Sequence, residues 1–345
     1  MEPGRGAGFC ASTFYRYYSN YSIIYIFLTI QYYTICLMLK NAFIYILTLF
    51  LLLPNQLSAQ NDPYIIVLGI TQDGGYPHMG CEKECCRLAW ENPSMRRYVV
   101  SLALVDPVSQ NWYLFEATPD IKEQLYMFRK LTAGEYNYLP NAVFVSHAHI
   151  GHYTGLMQFG REVMNTSEIT VYVLPRMNNF INNNGPWDQL VRLGNIVTVE
   201  IADGAEMALS EEISVRVFTV PHRDEYSETA GYKISTGRKD YLFIPDIDKW
   251  PKWDKNITEM VKLVDIAFLD GTFYSEGELK GRNIESIPHP FITETMDYFA
   301  GEDIITRRRI HFIHFNHSNP VLFREETREQ VRKKGFELSE QGKKY

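Results

Sequence analysis

The sequence has little cysteine and no excess of basic residues. Its 345 residues include five cysteines, and 34 lysines and arginines against 41 aspartates and glutamates give a formal net charge of −7. The sequence shows no basic patch of the kind that binds nucleic acid, so we expect no stable nucleic-acid binding. It also lacks low-complexity linkers and short internal repeats. These absences leave an ordinary globular protein with its oligomeric state open; the expectation of a small-molecule or phosphodiester substrate depends on motifs later in the chain.

The few cysteines that do occur are clustered. Cys81, Cys85 and Cys86 fall within six residues, and three thiols so close together exclude an ordinary disulfide framework. Thiolates at this spacing in a loop suit a structural zinc ion, with His78 or a distant histidine such as His317 as the fourth ligand. The alternatives are one disulfide with a spare thiol, or free cysteines, which an oxidising compartment would favour.

The N-terminal segment contains long apolar runs that are interrupted at Lys40. Read from Met38, the segment has the short basic start, apolar stretch and small-residue exit of a secretory signal, with cleavage after Ala59. One or two membrane anchors are the alternative, because a span needs at least about 17 apolar residues. We therefore assign residues 1–59 to a signal peptide or membrane anchor, with Met38 as a candidate true start. The protein is expected to be exported, periplasmic or secreted, and to touch a membrane only if this segment is uncleaved.

Residues 60–345 are expected to form a single domain in which strands and helices alternate. This pattern predicts two sheets with helices outside them, a layered α/β class. Five predicted apolar strands end at Ser146, Val220, Pro245, Leu269 and Ile313. Each end is followed within two residues by a histidine or an aspartate. Side chains on loops held by a rigid scaffold are the usual material of binding sites.

The stretch SHAHIGHYTG places His147, His149 and His152 within six positions. The first two are two residues apart, so in an extended segment they point the same way. Histidine is the commonest metal ligand, but a lone histidine is more often a satisfied polar group, so the argument depends on the whole set. The later members, each directly after an apolar run, are His222, Asp246 and His314. Imidazoles with a carboxylate suit zinc or iron better than magnesium or calcium.

The order of HAHIGH, His222, Asp246, His289 and His314 resembles that of the metallo-β-lactamase fold superfamily. The branch most similar holds the coenzyme PQQ synthesis B-type proteins and the related phosphodiesterases and tRNA 3′-end nucleases. LGITQDGGYPHMGC, ATPDIKEQL, LDGTFY and HFNHSNP are similar to the PQQ synthesis B-type pattern, and the resemblance covers about residues 64–325. It implies a four-layer αββα sandwich with metals in the cleft along the sheet edges.

The resemblance also implies roles for individual residues. His147, His149 and His222 would hold a first metal, and Asp246 would bridge to a second metal and orient the attacking hydroxide. The second metal would be held by His152 and His314. His289 resembles a histidine at a helix start that protonates the leaving group, although a helix-start or surface histidine after Pro288 is the alternative. Related families carry a three-cysteine zinc knot spaced C-x-C-x2-C, whereas this chain has C-x3-C-C.

Gly151 departs from the hydrolase motif, which has an aspartate at that position as a ligand of the second metal. Three states fit this change: two metals with a weaker second one, one metal in the first site, or an iron centre that is not hydrolytic. Three protein ligands and an open position remain at the second site, which a catalytic zinc tolerates. Asp73 and Asp120 could lie near the cleft, but DGG and TPD are equally ordinary in turns and helix starts.

The function expected from these residues is a metal-dependent hydrolase, in which metal-bound hydroxide attacks an ester, phosphodiester or lactone. One or two catalytic zinc ions and a structural zinc are the expected cofactors, with iron as the alternative. The other functions left open are an iron-dependent oxidoreductase of a PQQ-like biosynthetic pathway and a non-catalytic metal-binding relative. An exported location agrees poorly with a cytosolic cofactor pathway or with tRNA processing, so neither biological role is carried over.

Overall fold

The structure is a computed structural model that describes residues 12–52, 62–279 and 287–345. The chain divides into two compact units, Met1–Gln60 and Asn61–Tyr345. The expected cleavage after Ala59 lies outside the described residues, so it stays a prediction.

The first unit contains one long helix, α1, at Ser12–Leu52. Within it, Tyr25–Tyr45 is 21 residues long, apolar, and 0% buried. A helix of this length rises about 30 Å, which matches the hydrocarbon thickness of a bilayer. A signal sequence near an N-terminus has the same length and composition, so signal and anchor both remain open for this segment.

The first sheet of the second unit has six strands in sequence order. Strands β1 to β3 pair antiparallel, and β3 to β6 pair parallel. Its strands are β1 Tyr64–Gly69, β2 Ser101–Asp106, β3 Asn111–Phe115, β4 Ala142–Phe144, β5 Ile169–Val173 and β6 Ile196–Glu200.

The second sheet has seven strands in the order β13-β12-β11-β10-β9-β8-β7. Strands β7 to β10 pair antiparallel, and β10 to β13 pair parallel. Its strands are β7 Glu206–Ala208, β8 Ser214–Val220, β9 Thr229–Ser235, β10 Asp240–Ile244, β11 Ile266–Asp270, β12 Ile310–Ile313 and β13 Glu337–Leu338. The ends of β4, β8, β10, β11 and β12 lie within two residues of the ends predicted from the apolar runs.

Helices connect the strands and cover the sheets. After α1 they are α2 Glu84–Glu91, α3 Ile121–Leu131, α4 Ile150–Tyr153, α5 Pro175–Asn183, α6 Trp187–Arg192, α7 Ile257–Lys262, α8 Ile292–Tyr298, α9 Ile304–Arg308 and α10 Glu325–Lys333. Short 3-10 helices occur at Pro93–Met95, Thr154–Phe159, Trp250–Lys252, Glu276–Leu279 and Pro320–Leu322.

Two buried apolar layers show how the sheets and helices stack. Between the sheets, Phe115 of β3 packs edge-on against Tyr232 of β9, with ring centroids 5.3 Å apart. On the other face of the first sheet, Trp112 stacks on Phe128 of α3 at 4.0 Å. Successive strand residues point to opposite faces, so β3 contributes to both layers. The predicted αββα sandwich is confirmed.

Two residues leave their strands with a left-handed backbone. Glu116 follows β3 with φ 70°, and His314 follows β12 with φ 67°. Such conformations cost roughly 1–3 kcal/mol for a residue that is not glycine, and they persist where the surroundings hold them. Both side chains are fully buried. Both lie at the strand ends that carry the candidate site.

Candidate metal centre

The loop after β4 delivers the three clustered histidines to the carboxyl ends of the strands. Its backbone is held from two sides: Ser146 N donates to Glu116 Oε2 at 3.2 Å, and Ala148 N donates to Ser227 Oγ at 2.8 Å. His147 and His152 are buried, at 1% and 0% exposure. The loop therefore presents its imidazoles from an ordered backbone.

The first cluster consists of His147, His149, His222 and Asp246, all predicted ligands. The candidate ligand atoms are His147 Nε2, His149 Nδ1, His222 Nε2 and Asp246 Oδ2. The separations from His149 Nδ1 and from Asp246 Oδ2 to the other atoms run from 2.8 to 3.9 Å. A tetrahedral zinc with ligands at about 2.0–2.1 Å requires separations of roughly 3.3 Å. These four residues therefore have the composition and the spacing of a zinc site.

Each ring of the first cluster turns its other nitrogen toward an oxygen. The pairs are His147 Nδ1 with Ser146 Oγ at 2.8 Å, His149 Nε2 with Glu225 Oε2 at 3.2 Å, and His222 Nδ1 with Asp248 Oδ1 at 3.5 Å. Metal-bound histidines almost always have such a partner, which sets the ring orientation and the tautomer. The arrangement leaves the inward nitrogens as the metal-binding atoms.

The second cluster contains His152, His314 and Asp73. His152 Nε2 and His314 Nε2 are buried and have no hydrogen-bond partner among the described residues. Asp246 Oδ2 lies 3.9 Å from His152 Nε2 while also belonging to the first cluster, as expected of a bridging carboxylate. Buried polar atoms without a partner are costly, and here they face a position that an ion would fill.

A hydrogen-bond chain assigns the tautomer of His314. The Thr272 hydroxyl donates its single hydrogen to Asp270 Oδ1 at 2.6 Å, so toward His314 Nδ1, at 2.8 Å, it can only accept. His314 therefore carries its proton on Nδ1 and presents an Nε2 lone pair. On the other ring of this cluster, His152 Nδ1 faces the buried Glu116 Oε2 at 3.4 Å.

His289 lies inside the centre, two residues before the N-cap of α8. Its ring is 4% exposed, so it is not a surface histidine. Its Nδ1 lies 2.9 Å from Asp270 Oδ2 and 3.1 Å from Asp246 Oδ1. Burial works to lower the pKa of His289, but these two carboxylates outweigh it and raise the pKa to about 10. The protein alone therefore holds a proton on this ring at neutral pH.

The candidate ligand histidines differ in the direction in which the protein shifts their pKa values. Burial holds the pKa values of His147 and His314 well below the usual range, so both rings are neutral, the form that binds a metal. For His222, Asp246 overcomes the effect of burial and raises the pKa to about 9. A metal would have to displace that proton.

Gly151 lies against a carboxylate from another loop. Its N–H donates to Asp73 Oδ1 at 3.1 Å. A Cβ added at Gly151 would overlap Asp73 Oδ1 and lie 2.7 Å from Asp73 Cα. By contrast, Asp120, the other aspartate considered near the cleft, has its Oδ2 2.9 Å from Val99 N and belongs to neither cluster.

The cysteine cluster is completed by His317 rather than by His78. Cys81 Sγ and Cys85 Sγ are 3.6 Å apart, and His317 Nδ1 lies 3.3 Å from Cys86 Sγ. Tetrahedral zinc with Zn–S of about 2.3 Å requires thiolates roughly 3.8 Å apart. None of the three cysteines is in a disulfide. The group of four has the composition and spacing of a structural zinc site despite its C-x3-C-C order.

Comparison with known proteins agrees with this geometry. The Beta-lactamase superfamily domain matches residues 111–315, which is more than half of the chain. The chain belongs to the β-lactamase superfamily. The match includes all of the candidate histidine and aspartate ligands of the two clusters except Asp73, which lies before it.

Individual relatives are similar along most of their length. Coenzyme PQQ synthesis protein B of Methylorubrum extorquens (strain PA1) is 25% identical over 312 residues, covering 81% of this chain and 98% of that protein. The same-named protein of Rhizobium meliloti (strain 1021) is 25% identical over 307 residues, covering 82% and 97%.

Solved structures share the fold. The Zn(2+)-bound PqqB from Methylobacterium extorquens superposes with a TM-score of 0.68 at 21% identity, covering 82% of this chain and 99% of that one. A diphosphatase from the PhnP family has a TM-score of 0.60 at 19% identity, covering 82% and 97%. The short form of human tRNase Z has a TM-score of 0.51 at 16% identity, covering 82% and 98%.

Several residues of the centre were not predicted. The buried carboxylates Glu116 and Asp270 position histidines, and Thr272 links Asp270 to His314. Asp248 and Glu225 face the outer nitrogens of His222 and His149. A signal existed for two of them: Asp270 directly follows the predicted strand that ends at Leu269, and Glu116 directly follows β3, which ends at Phe115. The others lie on loops whose direction the sequence does not give.

Proposed function

We propose that this protein is a metal-dependent hydrolase that cleaves an ester, phosphodiester or lactone. The observation that carries the proposal is the first ligand cluster at the carboxyl ends of the strands, next to the second cluster, whose His152 Nε2 lies 3.9 Å from Asp246 Oδ2 of the first. Three histidine nitrogens and a carboxylate oxygen at close to tetrahedral spacing support zinc as the metal of the first cluster. A diphosphatase and a tRNase among the structural relatives support hydrolysis as the type of reaction.

In this proposal the protein residues orient the reactants and manage protons. A metal bound at the first cluster would lower the pKa of a coordinated water to about 7 and so supply hydroxide at neutral pH. Asp246 would ligate the metal and orient the coordinated water. The outer partners of His147, His149 and His222 hold the rings in place, which keeps the geometry ready before substrate arrives.

His289 is the proposed proton donor to the departing group. Its Nδ1–H donates to Asp270 Oδ2, and Asp246 Oδ1 lies 3.1 Å from the same nitrogen, so the ring keeps its proton and can present Nε2 to the leaving oxygen. Asp270 is a positioning residue, because its own oxygens already accept from Thr272 N, the Thr272 hydroxyl and Ile247 N. General acid catalysis of this kind contributes typically about 10²–10⁴-fold.

Two further parts of the proposal concern the surroundings of the site. We infer that Cys81, Cys85, Cys86 and His317 hold a structural zinc ion, supported by their spacing. We also infer export, supported by the apolar, unburied Tyr25–Tyr45 helix segment, which would act as a signal or an anchor. Neither inference depends on the hydrolytic activity.

The test is metal analysis of the full-length purified chain together with hydrolysis of bis(p-nitrophenyl) phosphate, p-nitrophenyl acetate and a lactone. We expect zinc in the centre and cleavage of at least one probe. His149→Ala should lose both a metal ion and activity. The matched control is His311→Phe, because His311 lies on β12 with its Nδ1 facing the Tyr345 hydroxyl at 3.4 Å, away from the centre.

The other outcomes of this test would favour the alternative functions. Iron in place of zinc, with no hydrolysis of any probe, would favour the oxidoreductase alternative. Zinc in the centre with no cleavage of any probe would favour the non-catalytic metal-binding alternative, and a centre that binds no metal would overturn the proposal. His289→Gln separates the role of the proton donor from that of a ligand: we expect the turnover number to fall while the metal content stays unchanged.

A further inference from the structure

The position that Gly151 leaves empty in the histidine motif is filled from another loop. Asp73 lies between β1 and α2, and its Oδ1 accepts the Gly151 N–H at 3.1 Å. A side chain at 151 would collide not only with this carboxylate but with Asp73 Cα, 2.7 Å from a Cβ. The two positions therefore exclude each other: residue 151 must lack a side chain when Asp73 occupies this space.

The loop that carries Asp73 is tied to the strand end that carries a ligand of the second cluster. Gln72 N donates to Phe315 O at 2.9 Å, directly after His314. Asn316 Nδ2 donates to Gln72 Oε1 at 2.9 Å. These bonds hold Asp73 beside the centre, so its carboxylate is placed by the fold rather than by a flexible loop.

The carboxylate faces atoms that need a partner. Asp73 Oδ1 lies 3.6 Å from His152 Nε2, which is too long for a hydrogen bond and close to the roughly 3.3 Å between ligands of a tetrahedral zinc. His152 Nε2 and His314 Nε2 are fully buried and unpartnered within the described part of the chain. The ligand atoms of Asp73, His152 and His314 all lie within 4.8 Å of one another.

We propose that Asp73 is a ligand of a second divalent metal ion, together with His152, His314 and the bridging Asp246, and that it takes the place of the carboxylate missing at Gly151. This inference rests on the proposed metal centre and deepens it. The centre is then dinuclear despite the glycine, and Gly151 is the residue that makes room for the displaced ligand.

The experiment counts metal ions instead of turnovers. The full-length chain is stripped of metal and reconstituted with Zn²⁺ or Co²⁺. The number of metal ions per chain is then measured by elemental mass spectrometry. In the cobalt form, thiolate-to-metal charge transfer marks the cysteine cluster, and the remaining visible bands report the histidine centre. Asp73→Ala should lose one ion from the histidine centre and keep the other.

Two matched variants separate a ligand from a structural residue. Asp120→Ala removes a carboxylate that also accepts a backbone N–H, from Val99, but belongs to neither cluster, so it should keep both ions. Asp73→Asn keeps an acceptor for Gly151 N–H and removes the charge. It should weaken the second ion on the order of 100-fold, the upper end of what disturbed metal surroundings cost, with an unchanged melting temperature.

A reciprocal exchange tests the position itself. Gly151→Asp alone should lower the melting temperature, because the new side chain overlaps Asp73. Combining Asp73→Gly with Gly151→Asp should restore both folding and the second ion. The proposal is overturned if Asp73→Ala and Asp73→Asn keep two ions in the histidine centre. It is also overturned if Asp120→Ala loses the second ion of that centre to the same extent.

Failure of this inference is distinguishable from failure of the proposed function. If the histidine centre binds two ions and the second depends on Asp73, but no probe is cleaved, the inference is upheld and the hydrolase proposal is refuted. Cleavage that persists with one ion in both wild type and Asp73→Ala would do the reverse.

Discussion

Replacing Asp270 with asparagine should remove the carboxylate oxygen that accepts the Nδ1–H of His289. The Asp270 carboxylate is fully buried and accepts on both oxygens. Oδ1 accepts from Thr272 N at 2.8 Å and from the Thr272 hydroxyl at 2.6 Å, while Oδ2 accepts from Ile247 N at 3.2 Å and faces His289 Nδ1 at 2.9 Å. Asparagine has one acceptor oxygen and one donor amide, so it cannot satisfy both sides.

The expected loss in the free energy of unfolding follows from the hydrogen bonds that Asp270→Asn removes. If the asparagine oxygen stays toward Thr272, its amide meets Ile247 N–H, and His289 must give up its Nδ1 proton to accept from that amide. If the amide turns the other way, it meets two Thr272 donors. Hydrogen bonds to a charged group contribute roughly 1.5–3 kcal/mol each, so we expect a loss of about 3 kcal/mol in the free energy of unfolding. A neutral His289 should also lower turnover by about 10²-fold or more.

The assay is urea unfolding and probe hydrolysis on the same preparations, with metal content measured in parallel. The matched control is Asp265→Asn, because Asp265 is exposed, directly precedes the same strand, and accepts only from Asp240 N among the hydrogen bonds described. It should cost about 1 kcal/mol or less and leave turnover unchanged. The reasoning is refuted if Asp270→Asn is no more damaging than this control, or if turnover falls only in step with metal loss.

Three further predictions concern other parts of the chain. His317→Ala should release one zinc ion per chain and leave the histidine centre loaded, whereas His78→Ala should keep that zinc; elemental analysis decides between them. Burial lowers the pKa of His311 to about 4, so between pH 6.5 and 4 the unfolded chain binds a proton that the folded chain does not, and stability falls as pH falls. The loss should be about 3 kcal/mol larger in wild type than in His311→Phe, measured by urea unfolding across that range. Metal affinity should rise from pH 6 toward about 9, because His222 must release its proton to bind; equal calorimetric heats in buffers of different ionisation enthalpy would contradict this.

Much of the first cluster could be predicted because its signals are local. His147 and His149 follow a buried apolar strand, and His222 and Asp246 also lie just past strand ends. An apolar run predicts a strand, and the residue after it lies at the edge of a sheet. In the second sheet β8 and β10 both pair antiparallel with β9 between them. They therefore run in the same direction, and their carboxyl ends place His222 and Asp246 at the same edge of the sheet.

The supporting residues were harder to predict because their function depends on direction. Glu116 and Thr272 act through contacts with rings that reach them from other strands. A carboxylate or hydroxyl after a strand is common, and nothing in the sequence tells which of its neighbours it will face. Only the register between β10, β11 and β12 brings Ile247, Asp270 and Thr272 into one network.

The cysteine cluster was also predicted only in part from the sequence. The sequence indicated a zinc site and left two candidates for its fourth ligand. The structure decides because His78 Nδ1 lies 2.9 Å from Met79 O, while His317 Nδ1 approaches Cys86 Sγ. His78 is close in sequence but its ring stacks on His317, with centroids 4.4 Å apart, instead of joining the thiols.

The sequence alone predicted the alternating elements and two sheets with helices outside them, because hydrophobic periodicity is a property of the linear chain. The four-layer sandwich and the ligand roles of the first cluster were implied by the resemblance to a known superfamily. The sequence also showed that Gly151 lacks a carboxylate. What replaces that carboxylate was decided only by the tertiary structure. Asp73 reaches the centre because the loop after β1 is bonded to the segment after β12, and contacts between segments so distant in the chain are set by packing, which a local pattern does not encode.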